Sequence, residues 1–238
     1  MILFIQHIDI EGPGVLKSLF EKKGFETRVV ELYHGDAFPR EFDKIEAEIS
    51  LGGPMGVYDE DAYPFLALEN EWMKQIVARD IPFMGFCLGA QLLAKSCGSK
   101  VVKSPKKEVG ILPICMIEEG LGEPLFKGFW KEENVFHWHE DMGELPEGAR
   151  LLASSQGCPH QAFKVGPCAY GIQFHVELTA PMIEEWMEIY QFGMREEREK
   201  ILAEFCAQEE RLKEMVSILA DNFIGIIKNF NKEIPVVM

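Results

Sequence analysis

Gly85-Phe86-Cys87-Leu88-Gly89 places a thiol between an apolar run, Ile81 to Phe86, and a helix-forming run, Leu88 to Ser96. A strand that turns straight into a helix leaves little room at the bend. Glycine on both sides removes two Cβ atoms that would collide there, and the apex residue is driven into a conformation that side chains seldom adopt. The pattern is a nucleophile elbow with cysteine in the serine position. It lifts the sulfur to the carboxyl edge of a sheet, where ligands bind in open α/β folds. The N-terminus of the next helix favours a thiolate and offers N–H groups to an oxyanion. Taken alone, the pentapeptide also suits an ordinary turn around a buried cysteine.

A cysteine nucleophile needs a base and a group to orient that base. Of six histidines, His175 follows the apolar stretch Gly171-Ile172-Gln173-Phe174, so it emerges at a sheet edge. Glu177 is two residues on, and i, i+2 side chains of an extended segment point the same way. The carboxylate is therefore placed to hold one imidazole nitrogen and leave the other for Cys87. A third segment, Leu51-Gly52-Gly53-Pro54-Met55-Gly56, ends another apolar run. Two glycines there let backbone approach a ligand closely, and the proline fixes the exit of the chain. An N–H at this point suits an oxyanion donor, and a plain turn explains the same residues.

These segments need a sheet to carry them. Met1–His7, Phe25–Leu32, Glu46–Leu51 and Ile81–Phe86 read as strands. Gly12–Lys23, Pro64–Arg79 and Leu88–Ser96 read as helices, the second with Leu68, Trp72, Ile76 and Val77 at helical spacing. The βαβα order implies a parallel sheet covered on both faces. Val101-Val102, Gly110–Ile117, Val135–Trp138, Leu151–Ser154, Gln161–Val165 and Ala169–Phe174 read as short strands of an added antiparallel section. Pro181–Phe230 is helical, with its break at Gly193. Leu212, Val216, Leu219, Phe223, Ile226 and Phe230 form an apolar seam along it. That seam suits either packing on the same domain or a partner surface.

Composition narrows the classes. The chain has 238 residues, 47 % of them hydrophobic and 26 % charged, as in a soluble globular protein. No run approaches the roughly 18–20 apolar residues that span a bilayer, and Met1–His7 reads as a buried strand rather than a signal peptide. A net charge of −15 repels phosphate backbones and anionic membrane surfaces. Neither nucleic acid nor membrane is therefore expected as a partner. Six scattered cysteines without a CxxC point to free thiols in a reducing cytoplasm. His137, His139, Cys158 and His160 match no trusted zinc spacing, and no metal site is expected.

Taken together and in order, Leu51-Gly52-Gly53-Pro54, Gly85 to Gln91 and Tyr170 to Glu177 resemble the signature blocks of class I glutamine amidotransferases. Phe136 to Asp141 and Ser155 to Pro159 resemble segments of the amidotransferase domain of GMP synthase. The likeness runs from about residue 1 to 185. It implies a flavodoxin-like three-layer α/β sandwich with a mostly parallel central sheet, a small antiparallel section and C-terminal helices. The domain would cover 1–185, with 186–238 a helical extension packed on it. The resemblance implies that Cys87 is the nucleophile, His175 the general acid/base and Glu177 its orienting group. Gly53 and Leu88 would supply oxyanion N–H groups. Gln91, Trp138, His139, Glu140 and Asp141 would hold the amino-acid end of glutamine. No metal or organic cofactor is implied.

Three departures qualify the match. Val176 stands where the family has proline, outside the chemistry. His139-Glu140-Asp141 replaces a His-Gly-Asp, so Glu140 stands to narrow or recharge the pocket rim. No synthetase segment and no phosphate-binding P-loop follows. The chain therefore resembles stand-alone, GMP synthase-like members. The sequence leaves three functions open: a glutaminase that delivers ammonia to a separate synthetase subunit, a self-sufficient γ-glutamyl hydrolase, and a non-catalytic binding protein on the same fold.

Overall fold

Strand β1, Ile2–Gln6, is buried throughout, and alternate side chains leave it on opposite faces. Ile2 and Phe4 join Leu16 and Phe20 of helix α1, Leu16–Lys22, in one core. Leu3 and Ile5 join Leu66, Met73 and Ile76 of helix α2, Phe65–Ala78, in a second. Leu92 and Leu93 of helix α3, Leu88–Ser96, belong to that second core. A strand covered on both faces reads as a continuous apolar run, which is why this one shows no polar alternation. The result is the three-layer α/β arrangement read from the sequence.

The coordinates are a computed structural model that describes residues 1–233. The remaining strands are β2 (Thr27–Glu31), β3 (Ala47–Ser50), β4 (Phe83–Phe86), β5 (Val101–Met116), β6 (Glu132–Gly143), β7 (Arg150–Ser154), β8 (Ala162–Val165) and β9 (Ala169–Ile172). The sheet order is β2-β1-β3-β4-β9-β8-β7-β5-β6. Strands β2, β1, β3, β4 and β9 run parallel. From β9 onward every pairing is antiparallel. The antiparallel section thus continues the same sheet instead of forming a layer of its own.

Local chemistry moves some element boundaries. Helix α1 begins at Leu16 rather than Gly12, because Gly12-Pro13-Gly14 is a turn with Gly14 at φ +54°. Val101-Val102 and Gly110–Ile117 belong to one long strand, β5. Its pairing with β6 is irregular between Lys103 and Glu108, around Pro105, which has no N–H to give the ladder. The C-terminal helices break where expected, with Gly193 at φ +59° between α5 (Ala180–Ile189) and α6 (Arg195–Glu233).

The sequence-derived division at residue 185 falls inside α5. Leu212, Val216, Leu219 and Phe223 are buried in the same core as α1, and the Phe223 ring meets that of Phe20 edge-on at 6.4 Å. Further along, Ile227 is fully buried while Ile226 is only partly so. A helix of 3.6 residues per turn drifts from a 3.5-residue seam, which accounts for the change. Glu133, buried at the start of β6, accepts from Arg211 at 3.1 Å and anchors the helix midway. Residues 234–238 of the extension lie outside the described residues.

We propose that α5 and α6 fold with residues 1–185 as one unit. Phe223→Ala should then cost about 3–5 kcal/mol. Urea denaturation followed by Trp fluorescence and by far-ultraviolet circular dichroism should give one coincident transition. Separate transitions would show an independent C-terminal unit.

Candidate active site

Cys87 directly follows β4 at the turn into α3, and its backbone sits at φ 49°, ψ −103°. Both flanking glycines are sterically required. A Cβ at Gly85 would stand 2.5 Å from the Gly89 carbonyl, and one at Gly89 would stand 2.3 Å from the Ser50 carbonyl oxygen. The strained apex is the elbow expected from the pentapeptide.

Strand β9 lies beside β4 in parallel, with Phe86 opposite Ile172. The Cys87 N–H donates to the Ile172 carbonyl at 2.8 Å, which carries the register one residue past the strand end. The chain beyond β9 therefore leaves the sheet at the same edge as Cys87. His175 is then fixed by a two-way backbone bridge to Phe136, at 2.8 and 3.2 Å. Its Nδ1 is 2.6 Å from Glu177 Oε1, while Glu177 Oε2 accepts the Val176 N–H at 2.9 Å. Both side chains are buried. Burial works against a charged imidazole, but the Glu177 carboxylate and Cys87 outweigh it. The His175 pKa is raised well above the usual histidine value.

The loop Leu51–Gly56 is braced from behind. His7 Nδ1 lies 2.9 Å from the Gly52 carbonyl oxygen and Nε2 2.7 Å from Glu69 Oε2. Ser50 donates to the other Glu69 oxygen at 2.8 Å. Burial opposes a charge on His7, yet Glu69 and Gly52 raise its pKa, as two acceptors on one ring require. In a trans peptide the carbonyl and the next N–H point opposite ways. Holding the Gly52 carbonyl on His7 therefore turns the Gly53 N–H away from His7, and Gly53 lines the cavity. A Cβ at Gly53 would meet the Leu88 side chain at 2.8 Å, and the Gly89 N–H donates to the Leu51 carbonyl at 3.1 Å, so the two loops that carry the expected oxyanion donors are packed together.

A cavity of about 250 Å³ opens over these groups. Its wall brings together Gly53, Cys87, Gln91, Trp138, His139, Glu140, Asp141 and His175 of the residues expected from sequence. Leu88 and Glu177 stand behind that wall. Gln91 Nε2 donates to the Asp141 carbonyl at 3.1 Å and to Gln173 Oε1 at 3.2 Å. Glu140 is exposed at the rim and pairs with Lys103 at 2.5 Å, which also reaches Asp141 at 3.1 Å. Its carboxyl is held below the usual range by that lysine. Its charge is therefore compensated at the rim.

Strand β6 is braced by a buried network. The carboxylate of Glu108 meets His139 Nε2 at 3.1 Å, Ser155 at 2.7 Å and Gln161 at 2.7 Å. His137 lies within the same cluster, and burial pushes its pKa down to about 3. Cys158 and His160 turn elsewhere, to Met142 and to the Gly143 carbonyl.

The sequence reading missed Glu11, Lys107, Trp186 and Tyr190, which complete the wall. Glu11 lies in the loop after β1, directly before the turn Gly12-Pro13-Gly14. A Cβ at Gly14 would stand 2.2 Å from the Glu177 carbonyl oxygen, so that turn packs directly on the Glu177 backbone. Trp186 and Tyr190 fall within the stretch read only as helical, Pro181–Phe230.

With this geometry in view, comparison with known proteins is direct. The family model of glutamine amidotransferase class-I matches residues 14–184, and the chain belongs to that family. It is 34 % identical over 184 residues to the glutamine amidotransferase-like protein YfeJ of Salmonella typhimurium, covering 76 % of this chain and 77 % of that one. It is 33 % identical over 209 residues to the GMP synthase [glutamine-hydrolyzing] of Thermosipho melanesiensis, covering 84 % of this chain but only 36 % of the relative. A solved glutamine amidotransferase from Thermotoga maritima superposes with a TM-score of 0.86 at 30 % identity, covering 94 % and 97 % of the two chains.

Glu177→Gln should lower the His175 pKa, seen by titrating its ring protons by NMR. A folded-state pKa above the unfolded value near 6.5 stabilises the fold fully below about that pH. The contribution disappears as pH rises through the raised folded value. The difference in urea midpoint between wild type and Glu177→Gln should therefore shrink with rising pH. A constant difference would mean that the pair does not hold a proton.

Proposed function

We propose that the chain hydrolyses the side-chain amide of glutamine through a γ-glutamyl thioester on Cys87, giving glutamate and ammonia. The observation that carries this is the convergence of Cys87 and the His175–Glu177 pair at one cavity floor. Cys87 gives its thiol proton to His175 and its Sγ bonds to the amide carbon, while the carbonyl oxygen takes up charge between the N–H groups of Gly53 and Leu88. His175 gives a proton to the nitrogen, the C–N bond breaks, and ammonia leaves. Water then attacks the thioester, passing a proton to His175, and the C–S bond breaks to release glutamate. Glu177 holds the imidazole in the orientation and tautomer that these transfers need.

Gln91 has committed its amide nitrogen to Asp141 and Gln173, leaving Oε1 to accept from the substrate ammonium. Backbone groups of Trp138 to Asp141 suit the carboxylate end. The Thermosipho relative is much longer than the matched part. The acceptor chemistry of such a protein lies naturally on another segment, so we assign the ammonia here to a separate synthetase subunit. No helix among the described residues is long and apolar enough to cross a membrane, and all six cysteines are free. Both facts support our placing it in the cytoplasm.

Glutamate release from glutamine and from substituted γ-glutamyl amides tests this reading. Slow, Cys87-dependent cleavage of glutamine, faster with a synthetase present, is the expected result. Cys87→Ser should remove activity by about 10³-fold or more, and Glu177→Gln by about 10²–10⁴-fold, with both proteins folded. Faster cleavage of a substituted amide would assign the chain to the γ-glutamyl hydrolases. Cleavage of nothing would leave a binding protein.

A further inference from the structure

Glu11 is an acid in the cavity that the steps above do not use. It is 6 % exposed and lines the same wall as Cys87 and His175. Its Oε1 accepts the Tyr190 hydroxyl at 2.7 Å, and among the described residues Tyr190 is the one side chain that hydrogen-bonds this carboxylate. The loop that carries it is built, not loose. Trp186 Nε1 donates to the Ile10 carbonyl at 3.0 Å, and Gln6 Nε2 donates to the carbonyls of Ile8 and Asp9, both at 2.9 Å.

The second oxygen lies beside the reacting groups. A Cβ at Gly52 would stand 2.6 Å from Glu11 Oε2, 3.4 Å from His175 Cε1 and 3.8 Å from Cys87 Cβ. One small space thus borders the carboxylate, the imidazole and the nucleophile's stem. His7, His175 and Glu177 all act on Glu11 electrostatically, and burial, the largest influence, raises its pKa. Among the described residues no side chain donates to Oε2, and that oxygen is not sealed from solvent, so a ligand N–H can reach it.

The ligand group is set by place. The nitrogen that leaves must be next to His175, because His175 gives it a proton. Glutamine's amino-acid end is already assigned to Gln91 and to backbone groups of Trp138 to Asp141. We propose that Glu11, held by Tyr190, is the receptor for the leaving nitrogen. Its Oε2 accepts an N–H of the substrate's side-chain amide and keeps that hydrogen bond as the C–N bond breaks. Glu11 forms no covalent bond and transfers no proton in this role. The hydrogen bond strengthens as the nitrogen gains a proton from His175, so it favours the transition state over the bound substrate. The site then selects leaving groups that carry an N–H, namely ammonia and amines, over alcohols on the same γ-glutamyl group.

This inference rests on the proposed thiol chemistry, and the test separates the two. The kcat/KM for glutamine and for the γ-methyl ester of glutamate is measured with wild type, Glu11→Gln and Tyr190→Phe. The ester keeps the glutamyl end and the carbonyl but offers no N–H on its leaving group. Glu11→Gln should lower the amide-to-ester ratio by about tenfold or more, and Tyr190→Phe should shift it less in the same direction. An unchanged ratio, whether both rates fall together or neither moves, would overturn the proposal, because Glu11 would then serve the glutamyl end or the fold. Wild-type protein that cleaves neither substrate would remove the thiol reading and this one with it. Tyr190→Phe leaves the carboxylate present and removes only the hydrogen bond that positions it, and it carries the ratio test if Glu11→Gln does not fold.

Discussion

The site depends on one backbone hydrogen bond, from Cys87 N–H to the Ile172 carbonyl at 2.8 Å. It joins the ends of two parallel strands that are 86 residues apart in sequence at Phe86 and Ile172. Parallel neighbours end at the same edge, so whatever follows β4 must face whatever follows β9. Cys87 and His175 come to one cavity because of this pairing, not through any direct side-chain search. The two glycines around Cys87 follow from the same demand. The helix must start at once, tight against β3, or the thiol would trail away from the edge.

A second layer of buried polar groups fixes backbone rather than chemistry. His7, Glu69 and Ser50 hold the Gly52 carbonyl. Glu108, His139, Ser155 and Gln161 hold β6 behind Trp138. Such groups are expensive to bury, and they are tolerable here because nearly every heavy atom finds a partner. Exceptions remain at His137 Nε2, His139 Nδ1 and Gln161 Oε1. What these networks supply is direction: a peptide plane that presents an N–H, and a strand whose backbone faces the thiol. An oxyanion site needs that direction set before the substrate arrives, because reorienting dipoles during the reaction would cost part of what they contribute.

The parts of this arrangement legible in the sequence were those written in local pattern. Apolar runs gave the parallel strands, and the Gly-x-Cys-x-Gly turn gave the elbow. The i, i+2 rule gave the His175–Glu177 pair, since both residues belong to one extended segment. Glu11 and Tyr190 were not legible, because 179 residues separate them and neither is marked by a local pattern of its own. Buried Glu69 was hidden for a related reason. On a helix beside Leu68 and Trp72 it reads as a solvated charge, and only the sheet shows that it faces His7. Strand β5 looked broken because Pro105 interrupts pairing without ending the strand.

The cavity is closed from a direction that the shared family pattern does not cover. The class-I match ends at residue 184, yet Trp186 and Tyr190 stand in the wall. The Trp186 ring meets His175 at 5.6 Å, and both Trp186 and Tyr190 lie 6.1 Å from Trp138. Helix α5 therefore adds an aromatic side to a site whose floor comes from β4 and β9. The long α6 behind it buries Leu212 to Phe223 in the domain core and holds α5 where it stands. The floor of the cavity is thus fixed by strand order. Trp186 and Tyr190, on the part of the chain just past the matched segment, fix the aromatic wall that faces it, so floor and wall are set by different stretches of sequence.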